Sequence, residues 1–180
     1  ISIIAAVDRR MGIGYENKLL FWLPNDLKRF KALTTGNTII RDEKRLITPK
    51  GALPNRRNIV LSTHPDTQCP GAEVFPSLEE ALKNCEQDEQ VYIMGGASVY
   101  RQALPLADAL CLTEIDAEAP RADAYFPDVD LEIWQEKSRD AHPIDEKHPC
   151  LMLCRLYPPI GLFFLIVYYY RHLTFNRFME

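Results

Sequence analysis

In the stretch LPNDLKRF, Leu23, Leu27 and Phe30 recur at helical spacing and form one apolar face, and Asp26 falls on it. A carboxylate turned toward an apolar surface resists ionisation, so its pKa rises and it becomes a candidate proton donor or substrate anchor. A first-turn aspartate that simply favours the helix dipole is the plainer alternative, and the segment alone admits both. In VYIMGGASVY a strand ends in Gly95-Gly96 and a helix starts at once. Two residues without a Cβ let a ligand or another backbone come very close, and the first helical amides suit an anion such as a pyrophosphate. A tight strand-to-helix turn reads the same way, and the pair is not the six-position dinucleotide fingerprint. In LPNRRNIVLST, Arg56 and Arg57 precede a strand, so their side chains point to opposite sides. One of them could grip a carboxylate in a bidentate fork; a solvated pair is the alternative. Asp123 and the Tyr125-Phe126-Pro127 unit read as a packed structural loop. His148, Cys150, Cys154 and His172 lack zinc-site spacing, and no metal is expected.

These residues need a scaffold. Ile1–Val7 is a continuous apolar run, as for a strand buried on both faces. A long loop follows, RRMGIGYENKLLFW, and then a helix from Pro24 to Leu33 with proline in its first turn. Further strands are expected at Asn37–Ile40, Asn58–Ser62, Ala72–Phe75, Gln90–Met94 and Ala109–Ile115. Helices are expected from a Ser77 cap through Cys85 and over Ala97–Ala103, the latter ended by Pro105. Strands alternating with short helices argue for an α/β domain with a mainly parallel sheet.

The bulk composition narrows the partners. The chain has 180 residues, enough for one domain with a sizeable core. Its 47% apolar and 26% charged content is that of a soluble globular protein. A net charge of −4 gives no reason to expect nucleic acid or an anionic membrane as partner. Five scattered cysteines imply no disulfide framework, and a reducing cytoplasm fits. The N-terminal ISIIAAVDRR reads as a first strand, not a signal peptide. The apolar run Leu162 to Tyr170 is too short to cross a bilayer as a helix.

Taken in order, ISIIAAVD, GIGYENKLLFWLPNDLKRFK, LPNRRNIVLS, VYIMGGASVYRQALPLAD, LCLTEIDA and DAYFPD resemble the dihydrofolate reductases, bacterial type, over most of residues 1 to 140. The resemblance implies a mostly parallel eight-stranded sheet with about four flanking helices and an antiparallel C-terminal edge. It implies a single domain over 1–157, acting as a monomer, with an atypical apolar tail at 158–180. The implied activity is NADPH-dependent reduction of 7,8-dihydrofolate to tetrahydrofolate, and the fold makes the chain an antifolate target. Asp26 would be the one active-site carboxylate, holding the pterin and promoting protonation of N5. Ile4, Ala5, Leu27, Phe30, Leu53 and Met94 would line the pterin and benzoyl pocket. Thr113 would hydrogen-bond Asp26, and Arg56 would clamp the α-carboxylate of the glutamate tail. On the cofactor side the resemblance implies Ala6, Ile13, Gly14, Asn17 and Leu19, then Ser62 and Thr63, and Gly95-Gly96 with Ala97, Ser98, Val99 and Tyr100 at the phosphates. The pair Gly95-Gly96 would carry a cis peptide, and residues Ile13 to Leu23 would form a loop that closes on nicotinamide. Two alternatives stand beside this: a related reductase of the same fold acting on a pyrimidine or flavin precursor, and a folate-binding protein with little turnover.

The chain departs from the family in three places. The usual tryptophan before Leu-Pro is replaced by Phe21, with Trp22 next to it. After the Thr38-Ile39-Ile40 strand end the family carries Met-Gly-Arg-x-Thr-(Trp or Phe)-Glu-Ser, which binds cofactor phosphates; here Arg41-Asp42-Glu43-Lys44-Arg45-Leu46-Ile47-Thr48 stands instead. Asp42 and Glu43 would repel those phosphates. A coding of Gly-Arg-Lys-Thr-Phe-Glu as GGA CGA AAA ACG TTT GAA, read one base later, gives Asp-Glu-Lys-Arg-Leu, which is residues 42 to 46. A family-like Ala-Phe-Val-Asp-Tyr-Thr, read two bases on, gives the Leu-Cys-Arg-Leu-Tyr of residues 153 to 157. Both segments, 41–48 and 151–180, are thus expected to be frameshifted, in the gene or in its recorded sequence, with a divergent surface helix as the alternative over 41–48. Leu151 to Tyr157 can nonetheless pair as the last strand, since an apolar strand fills that slot.

Overall fold

The computed structural model describes residues 1–43, 51–64, 66–145 and 152–157, with only the backbone described for 152–156. An eight-stranded sheet is its spine, assembled from β1 (Ser2–Val7), β4 (Thr38–Asp42), β5 (Arg57–Leu61), β6 (Glu73–Phe75), β7 (Val91–Ile93), β8 (Ala109–Ile115), β10 (Ser138–His142) and β11 (Met152–Tyr157). The spatial order is β10-β11-β8-β1-β7-β4-β5-β6. Every pairing from β8 to β6 is parallel, whereas β11 runs antiparallel between β8 and β10. A small second sheet joins β2 (Gly12–Tyr15) to β3 (Lys18–Leu19) and β9 (Ala124–Tyr125). The expected α/β architecture and antiparallel edge are both present. Three α-helices lie among the described residues, α1 (Pro24–Thr34), α2 (Leu78–Lys83) and α3 (Ala97–Ala103), against about four expected. Residues 44–50, where the resemblance places a helix opening, lie outside the described residues, as does the tail 158–180.

Strand alternation sorts the core into two layers. Ile3, Ala5 and Val7 of β1 pack with Ile40, Ile93, Leu110 and Leu112 and with Val99, Tyr100 and Ala103 of α3. Ile4, the residue between, faces the other way with Ile39, Tyr92, Met94 and Cys111, and there meets Phe30 and Leu33 of α1. Helix α1 therefore covers one face of the sheet, and α3 with α2 the other. Register completes the placement: Ile4 stands beside Cys111 and Ala6 beside Thr113. Two residues further along a strand is the same face, so Ala6 and Thr113 also point toward α1, at the carboxyl ends of β1 and β8. Ligands of parallel α/β sheets bind outside those ends.

Local sequence explains how α1 starts and stops. Pro24 opens it, where a missing N–H costs nothing, and Leu23 before it supplies no side-chain cap. Asp26 lies in the first turn and Lys31 in the last, each suited to the helix dipole. At its end Thr35 turns extended, its N–H still donating to the Lys31 carbonyl, and Gly36 follows with φ of +81°. Helix α2 carries the expected cap, the Glu80 amide donating to the Ser77 hydroxyl at 3.1 Å.

Two expectations differ from the structure. The RRMGIGYENKLLFW segment is not all loop: β2 and β3 form a hairpin turning at Glu16 and Asn17, with φ of 49° and 60°. Two consecutive left-handed residues make the tight hairpin turn that matches strand twist. Strand β4 does not stop at Ile40; it runs on through Arg41 and Asp42, beside Val60 and Leu61 of β5. A central strand has neighbours on both sides, and backbone pairing continues whatever the side chains are. The Arg41 side chain is buried, one terminal nitrogen lying 3.6 Å from Cys69 Sγ.

Candidate active site

Above the carboxyl ends of β1 and β8, α1 and the β2–β3 hairpin flank a cleft that opens to solvent. Ile4, Ala5, Ala6, Met94 and Ile115 form its floor, Leu23, Leu27 and Phe30 one wall, and Gly12, Ile13, Leu19, Leu20 and Phe21 the other. Asp26 is the only ionisable side chain on its surface among the described residues. Thr113 donates its hydroxyl proton to Asp26 Oδ1 at 2.5 Å. Burial pushes the Asp26 pKa above the ordinary carboxylate value, against the Thr113 hydrogen bond and the charges of Arg29 and His142, which all pull it down. Arg29 sits one turn further along α1, with one terminal guanidinium nitrogen buried and unpartnered. Desolvation wins because the wall facing Asp26 is hydrocarbon.

Arg56 stands at the outer end of α1. Its Nε donates to the Thr34 hydroxyl at 2.8 Å, Nη1 to the Pro54 carbonyl at 2.9 Å, and the guanidinium lies 5.7 Å from the centre of the Phe30 ring. Leu53 packs on the same group as Phe30 and Ile4. Arg57 points the opposite way and is held by Glu73 and Glu89 at 2.8 and 3.0 Å. Of the two arginines, only Arg56 faces the cleft side of the sheet.

The residues expected at the cofactor divide into two groups. Ala6, Ile13 and Leu19 line the cleft that holds Asp26. Gly14 belongs to β2 and Asn17 to its turn. The Gly95-Gly96 peptide is cis, as the resemblance implies. Val99 and Tyr100 bury their side chains in the opposite core layer, where the Tyr100 hydroxyl bridges the Ile4 and Met94 carbonyls at 2.8 and 2.7 Å. They brace β1 and β7 from behind and present no side chain to the cleft; Ala97 and Ser98 are more open. At the end of β4, Asp42 Oδ2 accepts the Gly96 amide at 3.0 Å, and the Asp42 amide donates to Gly95 O at 2.8 Å. Glu43 Oε2 accepts from the hydroxyls of Ser62 and Thr67, while Thr63 is exposed.

Sequence reasoning missed several members of the site. Leu20, Leu23 and Ile115 line the cleft; Ile115 shares a strand face with Thr113, a signal that alternation along β8 carries. Phe21, noted above only as a departure, turns into the cleft, while Trp22 is 75% exposed. Asp8 is buried and accepts the amides of Arg10, Gly12 and Ala119 at 2.7 to 3.0 Å, tying the start of the hairpin to the loop after β8. No pattern in the sequence marks that role.

Comparison with known proteins agrees with this geometry. The family model described as dihydrofolate reductase matches residues 1–157. Dihydrofolate reductase type 3 of Salmonella typhimurium is 42% identical over 148 residues, 82% of this chain and 91% of that protein. Dihydrofolate reductase of Bacillus subtilis (strain 168) is 39% identical over 149 residues, 83% of this chain and 88% of that protein. A solved structure, dihydrofolate reductase from Enterococcus faecalis complexed with NADP(H) and RAB-propyl, superposes with a TM-score of 0.80 at 34% identity, covering 88% of this chain and 95% of that one. With matches of this extent, a mostly parallel sheet and one desolvated carboxylate at its carboxyl edge, the chain belongs to the dihydrofolate reductase family.

Proposed function

We propose that this chain reduces 7,8-dihydrofolate to tetrahydrofolate with NADPH, and that Asp26 is its catalytic acid. The observation that carries the reading is one carboxyl group of raised pKa on an otherwise apolar cleft wall, oriented by Thr113. When bound, NADPH supplies the hydride that reaches C6 of the pterin and leaves as NADP⁺. The rest falls to the chain's own residues. Asp26 hydrogen-bonds the pterin ring, and burial, which raises its pKa, favours the protonated acid that N5 needs. Ile4, Ala5, Leu27, Phe30, Leu53 and Met94 clamp the ring and the benzoyl group and exclude water. Arg56, already beside Phe30, meets the α-carboxylate of the glutamate tail with its two terminal nitrogens. Ala6, Ile13 and Leu19, on the cleft that holds Asp26, are suited to an apolar nicotinamide face. Gly14 and Asn17 would shape the hairpin over it; Ser62, Thr63, Gly95, Gly96 and the backbone of Ala97 to Val99 are the donors for its phosphates, the Tyr100 amide being taken by the Gly96 carbonyl at 2.9 Å.

We read the protein as a monomeric domain over residues 1–157. Cys69, Cys85 and Cys111 are free, as suits a reducing cytoplasm, and no described helix is long and apolar enough to cross a membrane. An antifolate inhibitor is expected to bind in the cleft that holds Asp26. The test is dihydrofolate-dependent loss of NADPH absorbance by protein of verified mass. Turnover supports the reading. Oxidation of NADPH with a pyrimidine or flavin precursor but not with dihydrofolate would replace it.

A further inference from the structure

We propose that Asp42 and Glu43 are built-in occupants of the donors that the cofactor's phosphates require, and that they set this chain's affinity for NADPH. The proposal rests on the enzymatic reading above. Phosphate oxygens are held by amide and hydroxyl donors, and a carboxylate oxygen satisfies the same donors. On the cofactor side of this site two such donors are already engaged from within. The Gly96 amide donates to Asp42 Oδ2 at 3.0 Å. The contact is close: a Cβ built on Gly96 would come within 2.5 Å of that oxygen. The hydroxyl of Ser62 donates to Glu43 Oε2, which also accepts from the Thr67 hydroxyl at 3.2 Å and faces His64 Nε2 through Oε1 at 3.7 Å.

Both carboxylates are fixed by the backbone, not by flexible side chains alone. Asp42 is the last residue of β4 and its amide donates to Gly95 O at 2.8 Å; the Glu43 amide donates to Leu61 O at 3.1 Å. The end of β4 therefore carries one acid to the Gly95-Gly96 turn on one side and the next to the end of β5 on the other. A phosphate approaching either donor must displace a carboxylate and meet its charge. Dinucleotide binding is then a competition, and the substrate side of the cleft, which contains neither acid, is spared.

The experiment is a protein-fluorescence titration of the full chain and of Asp42→Asn, Asp42→Gly and Glu43→Gln, with NADPH and separately with dihydrofolate. Asp42→Asn keeps the shape and removes the charge; Asp42→Gly removes the acceptor as well. NADPH affinity is expected to rise roughly tenfold to a hundredfold in Asp42→Gly, and by a smaller factor in Asp42→Asn and Glu43→Gln. Dihydrofolate affinity is expected to stay within about twofold of the parent, a change worth less than half a decade in binding. Weaker NADPH binding in both Asp42 variants would mean that the acid positions the glycine turn, and the proposal falls. Unchanged NADPH binding in all three variants overturns it equally. If the parent chain fails to bind dihydrofolate, the enzymatic reading fails, while the NADPH titration still decides what the two acids do.

Discussion

Two acids at the carboxyl edge of one sheet have opposite surroundings. Asp26 lies on α1 against hydrocarbon, with Thr113 as its hydrogen-bond donor, and looks into an open cleft. Asp42 lies at the end of β4 with the Gly96 amide already on its carboxylate. The first is desolvated by burial, which raises its pKa, and it still faces the cleft where a ligand can meet it. The second is satisfied internally, so the group is stable where it is and a ligand must compete for the place. A charged residue near a binding edge is thus informative only with its partners: the same side chain is a tool in one environment and a plug in the other.

The sharpest way to break the contrast is Asp26→Asn. It keeps an acceptor for Thr113 and removes the proton source. Activity is expected to fall by about two to four orders of magnitude, the usual worth of a positioned acid. Stability should move the other way. The folded pKa of Asp26 lies above its unfolded value, so folding binds a proton in the window between them, and stability is lost as pH rises through the folded value. Above that window the asparagine variant should melt higher than the parent, and its melting temperature should lack that pH dependence. A variant less stable than the parent above that window would contradict the desolvated reading of Asp26.

Restoring the family's Gly-Arg-x-Thr through Asp42→Gly, Glu43→Arg and Arg45→Thr together comes next. It exchanges two acids for donors of the kind a phosphate needs. Two charge-assisted hydrogen bonds correspond to roughly two to four orders of magnitude in NADPH affinity, the lower end being expected at a solvated edge. Calorimetry with NADPH reads it. No gain would show that the charged run is tolerated and that the two halves differ less than their contacts indicate. The coding DNA gives a separate check: a shifted frame over residues 41 to 48 should spell the family motif.

Arg56→Ala is expected to raise KM for dihydrofolate about tenfold to a hundredfold, from the loss of one charged bidentate contact, with kcat nearly unchanged. A substrate lacking the glutamate tail should not sense the change. An equal loss with that truncated substrate would place Arg56 in the packing of Phe30 instead of on the tail.

Much of this was legible in the sequence, for identifiable reasons. Alternation and helical spacing are local, so β1, α1, α2, α3 and β8 fall close to their expected bounds, and Asp26 on the apolar face of α1 is visible from Leu23, Leu27 and Phe30 alone. The partnership of Thr113 with Asp26 joins residues 87 apart in sequence and depends on the parallel register of β1 with β8. Only the family resemblance supplied it. The β2–β3 hairpin was hidden because Glu16-Asn17 lacks the glycine that usually announces such a turn. The reach of β4 through Arg41 and Asp42 was hidden because pairing with β5, and the Asp42 amide bond to Gly95 O, override side-chain polarity. Arg56 and Arg57 look alike in sequence, and tertiary partners alone tell them apart: Glu73 and Glu89 hold Arg57 away from the site.

The finest test of the contrast is Thr113→Val, which keeps the shape and removes the donor to Asp26. That hydrogen bond favours the charged carboxylate, so its loss should raise the Asp26 pKa further above its ordinary value. The fall of activity with rising pH should then move to higher pH, while activity at the optimum drops only about fivefold to tenfold, the worth of one hydrogen bond of ~1 kcal/mol. Stability should lose a comparable ~1 kcal/mol, and the pH window over which it declines should extend upward, because the protonated form is now favoured over a wider range. A profile that drops in height without moving along the pH axis would show that Thr113 only orients Asp26. Movement in the predicted direction would show that the hydroxyl is what keeps a desolvated acid within the range where it both holds the pterin and releases its proton.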